Sequence, residues 1–450
     1  MQLTAVPRAL PAPSDVHAIL RRHLLADGYP LVLDMEQSRG AYLRDAVTGR
    51  TYVDLFTFYA SNPLGMNHPA LAGEGPDAEA FRARLMDAAL NKVANSDIYT
   101  PHFARFVETF SRVGIPEQLP HAFFVSGGAL AVENALKAAF DWKVRKNAAR
   151  GLPGERGHQV VHLRQAFHGR SGYTMSLTNT DPNKVAHFPK FAWPRVDNPH
   201  CNGPADEADV EAREAASLEQ VRAAFREHPH DIAAIILEPI QGEGGDNHFR
   251  PAYLHALRAL ADEHEAMLIF DEVQTGVGLT GTFWAWQGLG VVPDLIAFGK
   301  KTQVCGILAG RRIEEVDDHV FARSSRINST WGGNLVDMVR FDRILEVIEA
   351  DDLVGHAWRA GEYLLGRVRG LAERFEAVEN PRGRGLMCAF DLPDGPTRTA
   401  VVEAAYRHGA VILGCGARSI RFRPALTITP GELDEGVSVL ERALADVLER

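Results

Sequence analysis

From about residue 75 to residue 330, short apolar runs alternate with longer stretches in which apolar residues recur every three or four positions. The runs are Ala122-Phe-Phe-Val, Val160-Val-His-Leu, Ile232-Ala-Ala-Ile-Ile-Leu, Met267-Leu-Ile-Phe and Asp294-Leu-Ile-Ala-Phe. Strands this apolar must be covered on both faces, so runs separated by helices predict a mostly parallel sheet between helical layers. Upstream, a helical pattern spans Ser14 to Leu25. The alternating stretches Ala41-Tyr-Leu-Arg-Asp and Thr51-Tyr-Val-Asp-Leu, joined by Val47-Thr-Gly-Arg, then predict a β-hairpin. Downstream, helical patterns over Leu335–Glu349 and His356–Phe375 lead to strand-like Leu386-Met-Cys-Ala-Phe and Ser419-Ile-Arg-Phe-Arg, and a helix from Pro430 to Leu448 follows. The polar, Pro- and Asp-rich stretch 195–217 reads as a surface excursion. The expected fold class is α/β. A large domain over 61–334 is flanked by an N-terminal segment, 1–60, and a C-terminal segment, 335–450, which join in a smaller α+β domain.

Composition narrows the class. The 450 residues are 46% hydrophobic and 24% charged, the balance of a chain that buries a large core. Forty-eight basic residues against 58 acidic ones give a net charge of -10, which argues against a nucleic-acid partner. No apolar run is long enough to span a membrane. The N-terminal MQLTAVPRALPAPSD is broken by proline and does not read as a signal peptide. Four scattered cysteines without a CxxC pair fit a reducing cytoplasm and no structural zinc. His68, His168 and His264 are dispersed, read as ordinary loop or helix histidines, and imply no metal. Lysine is scarce: only eight of the 48 basic residues, so a required amine has few candidates.

Three strand ends carry chemistry. After Phe123-Phe-Val, Ser126-Gly-Gly opens a helix whose apolar residues Val132, Leu136 and Phe140 share a face. That is either a tight turn or an anion site made by N–H groups and the helix dipole. The strand Met267-Leu-Ile-Phe delivers Asp271 and Glu272 at its C-terminal end, where α/β sheets bind ligands. No GxxxxGK[ST] loop accompanies them, which removes an ATPase reading. Pro293-Asp-Leu-Ile-Ala-Phe-Gly-Lys-Lys ends a further strand with Lys300 directly after Gly299. Twenty-nine residues separate Asp271 from Lys300, the length of one helical crossover between neighbouring strands. Anion cradle, strand-end carboxylate and strand-end amine together describe a pyridoxal phosphate site, in which lysine holds the aldehyde and the carboxylate keeps the pyridine nitrogen protonated.

The chain resembles the class-III pyridoxal-phosphate aminotransferases over nearly its whole length. The resemblance rests on Gly40-Ala-Tyr-Leu-Arg-Asp, Ser126–Lys137, Phe167-His-Gly-Arg, Glu238-Pro-Ile-Gln-Gly-Glu-Gly-Gly, Phe270-Asp-Glu-Val-Gln-Thr-Gly, Phe298-Gly-Lys, Ser329-Thr-Trp-Gly-Gly-Asn and Arg421-Phe-Arg-Pro. It implies fold type I, the aspartate aminotransferase-like architecture. Lys300 would hold pyridoxal 5'-phosphate covalently, Asp271 would meet the pyridine nitrogen, and Gln274 would touch the ring 3-oxygen. Gly128 and Ala129 would offer N–H groups to the phosphate, and Phe167 would stack on the ring. Thr330 would reach the phosphate across the interface of a homodimer. Gly127 departs from the family, which usually carries Ser or Thr there.

For substrates, the resemblance implies that Arg170 binds a carboxylate and that Arg421 receives the α-carboxylate of 2-oxoglutarate or glutamate. Glu243 resembles a carboxylate that pairs with Arg421 and moves aside for the oxo acid, and Asn328 lies in the segment that carries Thr330. Phe298-Gly-Lys-Lys-Thr-Gln-Val-Cys-Gly and Arg326-Ile-Asn-Ser-Thr-Trp-Gly-Gly-Asn look most like members acting on the terminal amine of L-lysine. The expected reaction converts L-lysine and 2-oxoglutarate to 2-aminoadipate 6-semialdehyde and L-glutamate in two half-reactions. Ornithine and 4-aminobutyrate are the alternative donors, and Tyr59 aligns with a tyrosine position of ornithine enzymes.

Overall fold

Each of the five apolar runs becomes a strand of one sheet. The computed structural model describes residues 9–203 and 206–449. Its largest sheet has seven strands in the spatial order His121–Val125, Cys305–Ala309, Leu295–Phe298, Met267–Asp271, Ile232–Leu237, Gln159–Leu163, Arg195–Val196. All neighbours run parallel except the two pairings made by Cys305–Ala309. Ile232–Leu237 and Met267–Asp271 are buried along their whole length, the reason they read as unbroken apolar runs.

Two strands of this sheet lie outside the sequence reading. Arg195–Val196 has two residues, too few for a periodic signal. Cys305–Ala309 follows Lys300–Thr302 without a crossover helix, because the chain turns straight back into the antiparallel pairing. The surface excursion over 195–217 is also corrected. It holds that edge strand and the first half of the helix Glu207–Glu227. Asp206 caps this helix by accepting from the Ala208 N–H, and Glu207 and Asp209 suit the positive end of the dipole. The buried positions Val210, Ser217, Val221 and Phe225 share one stripe, but small and charged residues between them hide the periodicity.

Both ends of the chain meet in the smaller sheets. Tyr42–Arg44 and Thr51–Asp54 form the hairpin, with Leu43 opposite Tyr52. Ala410–Val411 then adds to Thr51–Asp54 in parallel, so early and late segments share three strands. A four-stranded antiparallel sheet, Glu379–Arg384, Met387–Asp391, Ser419–Phe422 and Leu413–Cys415, supplies Arg421. The helices Leu353–Arg374 and Pro430–Leu448 pack nearby. The N-terminal helical pattern is shorter than expected, a 3-10 turn at Pro13–Asp15 and a helix ending at Leu20. The leader expectation falls largely on residues 1–8, outside the described residues. Among the described residues no helix is long and apolar enough to cross a membrane.

Aromatic packing fixes the strand end that leads into Lys300. Phe298 sits 5.7 Å from Phe110 and 5.9 Å from Trp284, centroid to centroid, and all three rings are fully buried. Such pairs add about 0.5–1.5 kcal/mol each beyond burial, so the backbone at 298–300 is held from below.

Candidate active site

The strand His121–Val125 runs through Ser126 and Gly127 into the helix Gly128–Ala149. The first intrahelical bond runs from Ala131 N–H to the Gly127 carbonyl at 3.0 Å, leaving the Gly128 and Ala129 N–H groups open at the helix end. Gly127 has φ 115°, a conformation that L side chains rarely adopt, which accounts for its departure from Ser or Thr. A Cβ at Gly128 would come within 3.1 Å of Val273 Cγ1 and crowd the same corner.

Asp271 ends the Met267–Asp271 strand and is buried. Its Oδ2 lies 2.8 Å from His168 Nδ1, and its Oδ1 accepts from the Val273 N–H at 3.0 Å. On the neighbouring strand, where Ala297 is its register partner, the chain reaches Lys300. Lys300 has φ 55°, an uncommon state for a side-chain-bearing residue and one that clusters at functional sites. Burial lowers its pKa to about 8, and the nearby Arg421 charge pushes the same way. Lys301 is fully enclosed instead, with Nζ donating to the Gln274 carbonyl at 2.7 Å.

One cavity of about 260 Å³ collects these groups, lined by Gly128, Ala129, Phe167, Glu243, Asp271, Gln274 and Lys300 together with His168, Gly169, Glu238 and Val273. Glu243 Oε2 accepts from Arg421 at 2.7 Å. Burial acts to raise the Glu243 pKa, but Arg421 and Lys184 outweigh it and hold the carboxyl below its ordinary value. Gln274 Oε1 accepts from Arg423 Nε at 3.0 Å and from its terminal nitrogen at 2.8 Å. Two guanidinium donors on one atom fix it as the oxygen, which leaves the amide N–H₂ of Gln274 for the cavity. Arg423 is itself buried against Asp246, at 2.9 Å for the longer of two contacts.

Three expected residues stand apart. Arg170 is exposed and forms no ion pair among the described residues. Asn328 and Thr330 lie in an exposed loop. Asn328 accepts from the Ser329 N–H at 2.7 Å, and the Thr330 carbonyl accepts from Ser96 Oγ at 3.2 Å.

Sequence reasoning missed three groups. His168, read as an ordinary loop histidine, is fully enclosed and orients Asp271 from 103 residues away in the chain. Its neighbour Phe167 was the available signal. Glu238 accepts from the Phe167 N–H at 2.9 Å and from the Gly242 N–H at 3.0 Å, tying together the two loops that bear Phe167 and Glu243. Burial pushes its pKa up to about 7, with Asp271 adding to the shift. It follows an apolar strand just as Asp271 does, so the same rule could have found it. Arg423 had no signal beyond its place two residues after Arg421.

A family model described as aminotransferase class-III matches residues 25–444. The L-lysine-epsilon aminotransferase of Mycobacterium tuberculosis is 58% identical over 433 residues, 96% of each chain. A solved lysine aminotransferase from the same organism, in the internal aldimine form, superposes with a TM-score of 0.95 at 57% identity, covering 97% of this chain and 100% of that one. The mitochondrial 4-aminobutyrate aminotransferase of Mus musculus is 31% identical over 94% of this chain and 86% of its own.

Proposed function

The chain belongs to the class-III aminotransferases, pyridoxal-phosphate-dependent transaminases of fold type I, and from that premise we propose that it moves the terminal amino group of L-lysine to 2-oxoglutarate. The products would be 2-aminoadipate 6-semialdehyde and L-glutamate. The observation that carries this reading is the Glu243–Arg421 pair at 2.7 Å, whose carboxylate partner lines the Lys300 cavity. While paired, Arg421 is neutralised, and the cavity suits an amine-bearing carbon with no carboxylate attached. Once Glu243 leaves, the same guanidinium offers a two-pronged site for an α-carboxylate. Lysine is favoured over 4-aminobutyrate as donor by the likeness to lysine-epsilon aminotransferases at 58% identity, against 31% for the 4-aminobutyrate enzyme.

The residues present fit the cofactor. A helix N-terminus lies in the same cavity as an amine, a flat aromatic ring and a buried carboxylate, with Gln274 among the lining residues. Gly128 and Ala129 would hold the phosphate, Phe167 would cover the ring, Asp271 would meet the ring nitrogen, and Gln274 would donate to the ring oxygen. When bound, pyridoxal phosphate supplies an electron sink that lets the carbon bearing the amine release a proton. Lys300 Nζ would take and return that proton. A pKa near 8 keeps a useful share of this amine neutral at working pH. Arg170, exposed and without an internal ion pair, would take the carboxylate at the far end of the substrate.

The active unit would be a homodimer. Thr330 lies outside its own chain's cavity, next to exposed Trp331 and in contact with Ser96, which supports a role across an interface. A monomer in sedimentation equilibrium would remove this part of the reading. Four unpaired cysteines support a reducing, cytoplasmic setting.

The test is which amine bleaches the yellow absorbance of the holoenzyme. L-lysine is expected to do so fastest, and the released aldehyde should be the semialdehyde. Faster bleaching by ornithine or 4-aminobutyrate would overturn the donor assignment. Glu243→Ala tests the pair itself. With Arg421 permanently free, oxo-acid binding should tighten, and discrimination between α- and ω-amines should fall about tenfold, the scale of one charge-assisted hydrogen bond. Unchanged discrimination would remove the switch.

A further inference from the structure

Glu243 has a second cation. Its Oε2 pairs with Arg421, while its Oε1 accepts from Lys184 Nζ. The two cations sit in different places. The Arg421 side chain is 3% exposed, on the strand Ser419–Phe422 of the smaller sheet. The Lys184 side chain is 27% exposed, closing the turn Pro182–Lys184. Lys184 also lies over the Phe167 ring at 5.6 Å, so its amine sits beside two residues that line the Lys300 cavity, Phe167 and Glu243.

Space exists on the Lys184 side. A second cavity of about 520 Å³ shares Glu243 with the first and is lined there by Lys184, Asp181, Arg398 and Gly244. The Glu243 backbone is pinned, because its carbonyl accepts from the Gly416 N–H at 2.8 Å. A switch of its carboxylate would therefore proceed by side-chain rotation, out of one cavity towards the other.

We propose that Lys184 is a positioning residue, the cation that keeps Glu243 when Arg421 is given over to the carboxylate of the oxo acid. The charge count gives the reason. With Lys184, the cluster of two cations and Glu243 carries one net positive charge, which an incoming α-carboxylate neutralises. Without Lys184 the pair is already neutral, and the same carboxylate would leave a net negative charge in a largely enclosed site. Lys184 thus favours the oxo-acid state over the amine state, as a differential interaction must to shift the balance. The inference rests on the Glu243 switch proposed above.

The experiment measures the two half-reactions separately in the holoenzyme: bleaching by L-lysine, and return of the yellow absorbance with 2-oxoglutarate. Lys184→Met is expected to raise the apparent KM for 2-oxoglutarate about five- to tenfold, while the lysine half-reaction moves less than about twofold. Lys184→Arg should restore most of the loss. In a Glu243→Ala background, Lys184→Met should lose most of its effect, since no carboxylate is left to hold and only the weaker long-range attraction of the amine for the oxo acid remains. Equal losses in both half-reactions would mark a merely structural role and overturn the proposal. So would an undiminished effect in the Glu243→Ala background, which would mean direct action on substrate. If Glu243→Ala alone leaves 2-oxoglutarate binding unchanged, the switch fails and the role of Lys184 falls with it.

Discussion

Lys300→Ala is expected to lower turnover by at least about 10⁴-fold, the upper end of what one positioned acid–base group contributes, because the same amine also anchors the cofactor. A second readout separates anchoring from folding. Borohydride reduction of the parent holoenzyme should fix pyridoxal phosphate to the peptide containing Lys300, and the variant should show no such mass while still folding. The adjacent Lys301 should not substitute, since its amine is enclosed and engaged by the Gln274 carbonyl. Burial and the Arg421 charge lower the Lys300 pKa to about 8, and only the neutral amine attacks an aldehyde. Cofactor uptake by the cofactor-free protein should therefore rise with pH and level off above about 8. A plateau appearing only near the value of a solvated lysine, about 10.4, would place this amine in water. Full activity in Lys300→Ala would sink the assignment.

Asp271→Asn is expected to lower kcat/KM by about 10²–10³-fold, the scale on which one preorganised electrostatic partner acts. The substitution keeps size but turns one acceptor oxygen into a donor and removes the charge that would hold a proton on the pyridine nitrogen. His168 lies 2.8 Å from the same carboxylate and acts through it, so His168→Ala should cost less, about tenfold. Steady-state kinetics together with cofactor affinity would check both. Activity of Asp271→Asn within threefold or so of the parent would remove its role, whatever His168 does.

The parts of this site that follow apolar strands were legible in the chain alone. Asp271 and Lys300 each stand at the end of such a strand, and their spacing of 29 positions matches one crossover, so their adjacency followed from spacing. The open helix end after Ser126-Gly-Gly was suggested by a strand, two glycines and a helical period, with a tight turn as the alternative, while the choice of Gly128 and Ala129 came from the family resemblance. Arg195–Val196 and the helix Glu207–Glu227 were not. Two residues carry no period, and a helix rich in Ala and Glu buries its stripe without looking apolar.

The sequence by itself determined the alternation of strands and helices and the family pattern, because periodicity and motif order are local properties of the chain. Beyond the Glu243–Arg421 pair that the family pattern implied, the tertiary structure alone decided which charges face one another. His168 meets Asp271 across 103 residues, Glu243 lies between Arg421 and Lys184, and Arg423 turns the Gln274 amide. The sign and strength of a charge's effect depend on distance and burial, and packing of remote segments sets both.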